Sequence, residues 1–334
     1  MSRAAIWLLS AGVLLFAAVL LSQGVSAVVA SLAVAGSGLL WLALLHLVPV
    51  ILDAASISVL FRGGAPRASA GETIIARWLG ESANSFLPAG PIGGPVVMSR
   101  FLARSGMATP EAAAAVTVST TMQTLAQVIF ALLGLALLGM LASHSSQSAV
   151  LTPLLIAGAV LAFCLAGFYF MQRRGLFAQL MRLTARLAGK RDWSELMTQA
   201  AAIDAAVLQA YGRRSAVGMS FVLSLMAWLI GTAEVYLILY LLHTPVDWAH
   251  ALLLESLGQA IRAAGFAIPG SLGVQEGGYL LLAPLAALAP ETALALSLAK
   301  RAREVLLGVP GLLYLQHSER AGRREAAVSS MLDS

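Results

Sequence analysis

Six long apolar stretches constrain the fold of this chain more than any other feature of its sequence. A helix that crosses the hydrocarbon core of a bilayer needs about 20 apolar residues, and each stretch approaches or exceeds that length. They are residues 4–21, 34–61, 112–140, 150–171, 217–242 and 292–316. Charged residues make up 11 % of the 334 residues, whereas a soluble domain carries about 25 %. The sequence therefore predicts an all-α polytopic membrane protein and excludes a soluble enzyme.

Two further apolar stretches, 72–104 and 249–288, are interrupted by proline and glycine. Residues 87–95 are Leu-Pro-Ala-Gly-Pro-Ile-Gly-Gly-Pro, and residues 268–274 are Ile-Pro-Gly-Ser-Leu-Gly-Val. Proline and glycine at this density break a helix, and the freed backbone groups need partners inside the protein or in a wet cavity. We expect two half-helices joined by a tight turn in each stretch. The alternative is one kinked crossing helix followed by a loop.

The distribution of lysine and arginine predicts the topology, because these residues concentrate on the cytoplasmic side. Eight of the 21 basic residues lie between Arg173 and Arg214, and the tail at 317–334 is also basic. The short loops at 22–33, 141–149, 243–248 and 283–290 contain neither lysine nor arginine. Six crossings satisfy this pattern only if both interrupted stretches are re-entrant hairpins that enter from opposite faces. We therefore expect a bacterial inner-membrane protein with both termini in the cytoplasm, and a retained first helix rather than a signal peptide.

The same topology predicts two inverted halves, 1–142 and 149–316. Phe86-Leu87-Pro88-Ala89-Gly90 resembles Phe266-Ala267-Ile268-Pro269-Gly270, and Thr109-Pro110-Glu111 resembles Ala289-Pro290-Glu291. An inverted repeat with broken helices indicates a transport site near the membrane midplane.

The connector at 173–214 carries a leucine stripe among arginines. Leu176, Leu180, Leu183 and Leu187 share one helical face. This pattern is typical of an amphipathic helix on anionic headgroups, with an ordinary solvated connector as the alternative.

Ionisable side chains inside apolar stretches are costly and usually functional. Lys300, Arg301, Arg303 and Glu304 lie within the last stretch, and Glu255 and Gln259 lie in the second hairpin. These cations either pair with hairpin carboxylates or bind an anion such as a lipid phosphate, which arginine contacts in a bidentate manner. The two interpretations are compatible. The candidate substrate-binding residues are Arg77, Glu81, Asn84, Pro88, Arg262, Pro269, Gln275, Glu276, Lys300, Arg301, Arg303 and Glu304.

Two more acids, Asp53 and Glu234, are candidate proton carriers. Asp53 could equally be a solvated residue near the cytoplasmic end of its helix. No nucleophile–base arrangement, metal-ligand spacing or nucleotide-binding motif is evident, so we expect no catalytic residue, metal or cofactor. The five histidines lack the i, i+4 pairing of a helical metal site. Nucleic acid is not an expected partner, because no base-stacking aromatics accompany the basic stretches.

Three motifs resemble one family of membrane proteins. Residues 77–84, Arg-Trp-Leu-Gly-Glu-Ser-Ala-Asn, with the following Leu87-Pro88, resemble the first hairpin of the flippase-like proteins related to the transmembrane part of lysylphosphatidylglycerol synthase. Residues 269–277, Pro-Gly-Ser-Leu-Gly-Val-Gln-Glu-Gly, resemble the second hairpin of that family. Residues 297–304 and 308–312 are most similar to its hopanoid-biosynthesis-associated subgroup, HpnL.

The resemblance implies that the chain moves a lipid between leaflets, with hopanoids or their precursors as the associated lipid class. One departure is Pro95, which stands where many relatives carry a carboxylate, so Glu81 is the first-hairpin acid that keeps an implied role. The expected partner is a membrane lipid, either hopanoid-type or an anionic phospholipid. The alternatives are a non-transporting scaffold for lipid-synthesis enzymes, and a membrane-embedded lipid-modifying enzyme with a polar pair around Glu81 or Glu276.

Overall fold

The computed structural model of the chain describes residues 36–63, 66–86, 93–141, 166–188, 193–265, 268 and 271–332, with single positions between 152 and 163. This part of the chain is helical and contains no strand. The helices are α1 (Gly38–Ser58), α2 (Ala70–Phe86), α3 (Gly93–Arg104), α4 (Thr109–Leu141), α5 (Leu176–Ala188), α6 (Ser194–Gly212), α7 (Arg214–Leu241), α8 (Trp248–Ala264), α9 (Val274–Leu282) and α10 (Pro290–Leu332). Ala283–Ala286 adds a 3₁₀ turn after α9.

Three of these helices are long and apolar enough to cross a membrane. They contain Leu40–Ser58, Thr109–Met140 and Arg214–Leu241, and so correspond to the second, third and fifth stretches predicted from the sequence. The first stretch, 4–21, lies outside the described residues. The fourth, 150–171, is described continuously only from residue 166 onwards, and residues 166–173 are helical.

The sixth stretch, 292–316, lies in α10, and this helix extends beyond it. The helix continues to Leu332, so most of the predicted tail at 317–334 belongs to it. Nothing between residues 316 and 332 stops a helix, since this segment holds no proline and a single glycine.

Each interrupted stretch forms two antiparallel helices rather than one kinked helix. In the first, the backbone N–H of Gly94 on α3 donates to Oδ1 of Asn84 on α2 at 2.7 Å, while Met98 packs against Gly80 one turn further from the tip. In the second, Val274 on α9 packs against Gly265, and Ile261 on α8 packs against Gly278. The connections at 87–92 and 269–270 lie outside the described residues.

Two helices begin with exposed capping residues. The backbone N–H of Ser69 donates to the Glu72 carboxylate at 2.7 Å before α2, and this hydrogen bond lowers the pKa of Glu72. Asp247, the N-cap of α8, accepts from the backbone N–H and the Nδ1 of His250, both at 2.8 Å. The backbone hydrogen bond is the main reason that the pKa of Asp247 is lowered. Both caps satisfy N–H groups that a helix start leaves unpaired.

The long helices α4 and α10 each contact both hairpins. The first part of each packs into an apolar cluster with the hairpin that precedes it in the chain. Further along, Gly134 on α4 contacts Ser256 on α8, and Gly311 on α10 contacts Ser82 on α2. A Cβ at either glycine would overlap the serine hydroxyl, so glycine permits these close crossings. Each long helix therefore bridges from one hairpin to the other.

The connector between the halves consists of two helices with different surroundings. α6 packs against α4 and buries Ala200, Val207 and Ala210. Its Asp204 accepts the backbone N–H groups of Phe177 and Ala178 at the start of α5, at 3.0 and 2.8 Å. The amphipathic segment predicted for the whole of 173–214 is therefore restricted to α5, because α6 is held against the helix core.

Candidate functional site

Three cations within four residues of α10 contact carboxylates on three different helices. Nζ of Lys300 donates to Oε2 of Glu255 on α8 at 2.6 Å, and Nε of Arg301 donates to Oε1 of Glu276 on α9 at 2.9 Å. Arg303 donates to Glu234 on α7. Successive helix residues are about 100° apart, so neighbouring cations contact carboxylates on different sides of α10. The predicted pairing of the cations with Glu255 and Glu276 is present, and Glu234 is an additional partner.

Glu304 links these pairs to the second hairpin. Its carboxylate accepts from Nη1 of Arg262 at 2.5 Å, and lies 3.5 Å from Arg301 and 3.7 Å from Arg303. Arg301 also donates to the carbonyl oxygen of Ser271 at 3.1 Å. The end of the second hairpin is therefore fastened to α10 by charge-assisted hydrogen bonds, which are the stronger kind in proteins.

His46 on α1 lies between the two hairpin-bearing halves. Its Nε2 is 2.7 Å from Oε1 of Glu81 on α2, and its Nδ1 is 2.7 Å from Oε1 of Glu234 on α7. Nη1 of Arg303 is 2.6 Å from the same Nδ1. One imidazole thus connects helices α1, α2, α7 and α10.

Asp53 is buried and paired, so the alternative that placed it in solvent was wrong. Its Oδ2 accepts from Nη2 of Arg77 at 2.7 Å and from Nε2 of Gln123 at 2.6 Å. Glu81 lies one turn from Arg77 on α2, but that pair is 3.6 Å apart. The shortest ion pair of Arg77 is therefore with Asp53 on α1. The Asp53 carboxylate is buried, so no solvent can take the place of the guanidinium as its partner.

A small pocket opens at the centre of this network; its volume is about 320 Å³ when the open solvent at its mouth is included. Its polar wall contains His46, Glu81 and Arg303, and Trp78 lies beside them. The remaining lining residues are Leu47, Val50, Ser82, Ser85, Glu304, Leu307 and Gly308. The Glu81 side chain is 29 % exposed, whereas the other five carboxylates of the network are at most 8 % exposed. Glu304 also lines the pocket, but Glu81 is the acid of the network that is most exposed to a ligand there.

The structure gives the other predicted residues different surroundings. Arg77, Arg262, Glu276, Lys300 and Arg301 belong to the ion-pair network but do not line the pocket. Asn84 closes the first hairpin through Gly94, and Gln275 is buried with its Nε2 3.0 Å from the hydroxyl of Ser297. Pro88 and Pro269 lie outside the described residues.

Sequence reasoning missed three members of the site. They are His46, Gln123 on Asp53, and Tyr279, whose hydroxyl donates to Glu255 at 3.2 Å. His46 carried a usable signal, because it is an ionisable residue inside an apolar stretch. The lack of i, i+4 spacing among the histidines argued only against a helical metal site. Among the described residues, no group of three or more His, Cys, Asp or Glu side chains could hold a metal ion.

The formal charges of the network depend on His46. The side chains described above include six carboxylates and five lysine or arginine cations. A neutral His46 leaves the network with one negative charge, and a protonated His46 balances it. The carboxylates are Asp53, Glu81, Glu234, Glu255, Glu276 and Glu304, and the cations are Arg77, Arg262, Lys300, Arg301 and Arg303.

A comparison with known protein families identifies the family to which a chain with this site belongs. The model of the family described as "Lysylphosphatidylglycerol synthase TM region" matches residues 6–311. The chain belongs to this family. The match spans both hairpins, all of α4, the first half of α10 and the whole ion-pair network, so the charged site lies within the family's membrane region. A lipid-related membrane function follows from the family. No curated protein and no solved structure matches the chain.

Proposed function

We propose that this protein binds an amphipathic lipid with its headgroup in the pocket and moves it between leaflets. The observation that carries the proposal is a charged pocket that adjoins apolar surface. His46, Glu81 and Arg303 form its polar wall, while Leu47 at the rim is 39 % exposed and Ile51, one turn further along α1, is 47 % exposed. Such a combination suits a molecule with a polar head and a hydrocarbon tail.

The approach of the first hairpin to α10 supports a transport route. Ser82 on α2 lies against Gly311, and Phe86, the last residue of α2, lies against Gly308. The tip of this hairpin therefore points towards the N-terminal end of α10.

The second hairpin approaches from the other end. Glu255 on α8 binds Lys300, and Arg262, two turns closer to the tip, binds Glu304. The two hairpins thus meet on α10 between residues 301 and 308, next to the pocket. Opposed broken helices around a central site are the arrangement of transporters built from inverted repeats, and this supports the re-entrant topology with six crossings.

The lipid class and the orientation rest on the sequence. The similarity of residues 297–304 to the hopanoid-associated subgroup supports a hopanoid or hopanoid precursor as cargo, and the arginines at the pocket suit an anionic phospholipid. The basic connector and tail support a bacterial inner-membrane location with cytoplasmic termini.

Reconstitution into liposomes tests the proposal. NBD-labelled phosphatidylglycerol is placed in both leaflets, dithionite is added outside, and the protected fraction is followed over time. We expect the protected fraction to fall with the native protein. Arg303→Gln should slow the movement about tenfold or more, because a hydrogen bond to a charged group contributes about 1.5–3 kcal/mol.

Two variants make the result interpretable. Arg182→Gln on α5 removes an exposed arginine and should leave the rate unchanged. Arg303→Gln/Glu234→Gln removes both members of the buried pair, so that no lone charge remains. Unchanged translocation in the folded double variant contradicts the proposal, and bacteriohopanetetrol as competitor tests the hopanoid assignment.

A lipid-modifying enzyme is the second candidate, and one observation favours it. His46 and Glu81 share a 2.7 Å hydrogen bond at the pocket wall, the arrangement of an imidazole held by a carboxylate for acid–base work. Mass spectrometry of lipids incubated with the native protein separates the candidates. A new lipid mass that disappears in Glu81→Gln supports the enzyme, and unchanged masses with active translocation support the transporter.

A further inference from the structure

Nδ1 of His46 lies next to two groups with which it cannot form hydrogen bonds at the same time. Oε1 of Glu234, at 2.7 Å, is an acceptor, and Nη1 of Arg303, at 2.6 Å, is a donor. A protonated Nδ1 donates to Glu234, whereas an unprotonated Nδ1 accepts from Arg303. A partner for each protonation state is therefore already in place.

The other ring nitrogen lacks this ambiguity. Nε2 lies 2.7 Å from Oε1 of Glu81, a carboxylate oxygen that can only accept. Nε2 therefore keeps its hydrogen in both states, and the exchangeable proton belongs to Nδ1. Gain of that proton converts the ring from a neutral imidazole to an imidazolium that bridges Glu81 and Glu234.

Protonation changes what Arg303 can do. An Nδ1–H group and the Arg303 N–H repel each other, so the guanidinium loses one of its contacts. Its buried Nε already has no hydrogen-bond partner, and Arg303 lines the pocket together with His46. Protonation of His46 thus leaves guanidinium donors available to a ligand in the pocket.

We propose that His46 is a proton-binding site, and that proton uptake at its Nδ1 is coupled to the binding of an anionic lipid headgroup by Arg303. The ligand in this coupling rests on the proposed function, whereas the proton site itself does not.

Charge balance gives the reason for the coupling. One proton that enters with one monoanion leaves the total charge of the network unchanged, while an anion alone adds a buried charge at high cost. The charged groups around the imidazole come from every helix packed against it. They are Asp53 on α1, Arg77 and Glu81 on α2, Glu234 on α7, and Arg303 and Glu304 on α10.

The proton site is tested directly by ¹⁵N NMR of histidine-labelled protein in nanodiscs. The His46 signals are identified by their loss in His46→Gln. We expect Nδ1 to pass reversibly between its protonated and unprotonated shifts within about pH 5–10, a range that also covers histidines held next to carboxylates, with Nε2 protonated throughout. A single state of Nδ1 over that range overturns the proposal. If His46→Gln does not fold, the His46 signals are those that persist in all of His144→Gln, His243→Gln, His250→Gln and His317→Gln.

The coupling is tested by the affinity for dihexanoyl-phosphatidylglycerol, a probe whose phosphodiester does not titrate in this range. Above the His46 midpoint, we expect the dissociation constant to rise about tenfold per pH unit, as one linked proton requires. His250→Gln, which alters a histidine outside the site, should keep this slope, and His46→Gln should lose it.

Two further outcomes decide between interpretations. The same slope in folded His46→Gln overturns the coupling, and sulfate binding with the same slope and affinity overturns a lipid as the ligand. If NBD-lipid translocation fails while His46 titrates and the phosphatidylglycerol affinity follows pH, then the proposed transport function fails and the proton-coupled site stands.

Discussion

The pair of Lys300 and Glu255 is the most deeply buried ion pair of the network, with side chains 1 % and 3 % exposed. Gln259 and Tyr279 complete the surroundings of the carboxylate. Lys300→Met should lower the free energy of unfolding by about 3–5 kcal/mol, because it leaves an uncompensated buried charge. Lys300→Met/Glu255→Gln should restore most of that loss. Thermal or denaturant unfolding in detergent measures both, with Arg182→Gln as the exposed control. A double variant that is less stable than the single one would contradict the assigned pairing.

Residue identity alone predicted that the α10 cations need anionic partners, either hairpin carboxylates or a bound anion, because charges in apolar surroundings require partners. It could not assign those partners. Arg77 has a carboxylate one turn away at Glu81, yet its shortest ion pair is with Asp53 on α1. That choice depends on how closely α1 and α2 approach, which is a property of tertiary packing rather than of local spacing.

Helix α5 is the element whose membrane contact can be tested by itself. Leu180 and Leu183 are 48 % and 53 % exposed, and the exposed Arg182 and Arg186 lie beside them. We expect this leucine face to enter the headgroup–acyl boundary while the arginines contact anionic lipid.

Spin labels at adjacent positions of α5 make the comparison in a Cys164→Ala background, which has no other cysteine. A label at Leu183→Cys should be more accessible to oxygen dissolved in lipid, and one at Arg182→Cys more accessible to a water-soluble nickel chelate. Equal access of the chelate to both labels would instead indicate a solvated connector.

Element type was more predictable than element boundaries. Long apolar runs predicted α1, α4 and α7, and dense proline and glycine predicted the two helix pairs, because both signals act locally. The division of 173–214 into α5 and α6 was not predicted, since it depends on the contact of α6 with α4. The extension of α10 to Leu332 was also missed, because a change from apolar to polar residues does not itself end a helix.

At the scale of the whole molecule, equivalent positions of the two predicted halves make equivalent contacts. Asp53 and Glu234 are separated by 181 positions, and Gln123 and Arg303 by 180. Asp53 accepts from Gln123 in the first half, and Glu234 accepts from Arg303 in the second. The short matches at Phe86 and Thr109 have nearly the same offset, so the contacts and the sequence support the same repeat. The sequence alone could not reveal these contacts, because the residues at equivalent positions differ. Asp53 corresponds to Glu234, and Gln123 corresponds to Arg303.

An inverted repeat makes a strong prediction about the ends of the two hairpins. Because α2 packs antiparallel to α3 and α8 antiparallel to α9, both ends of each hairpin should lie on one face of the membrane, and the two hairpins should use opposite faces. Exposed positions flank both hairpins, so single cysteines can be placed there in a Cys164→Ala background. They are Arg67 and Ala108 for the first hairpin, and Pro245 and Ala289 for the second.

Labelling of these cysteines with a membrane-impermeant maleimide, in right-side-out and inverted vesicles, measures the arrangement. We expect Arg67→Cys and Ala108→Cys to react only from the cytoplasmic face, and Pro245→Cys and Ala289→Cys only from the outer face. If the two ends of either hairpin react from opposite faces, that segment crosses the membrane and the halves are not inverted. If all four react from one face, the hairpins do not oppose each other, and the pocket between them on α10 cannot be reached alternately from the two leaflets.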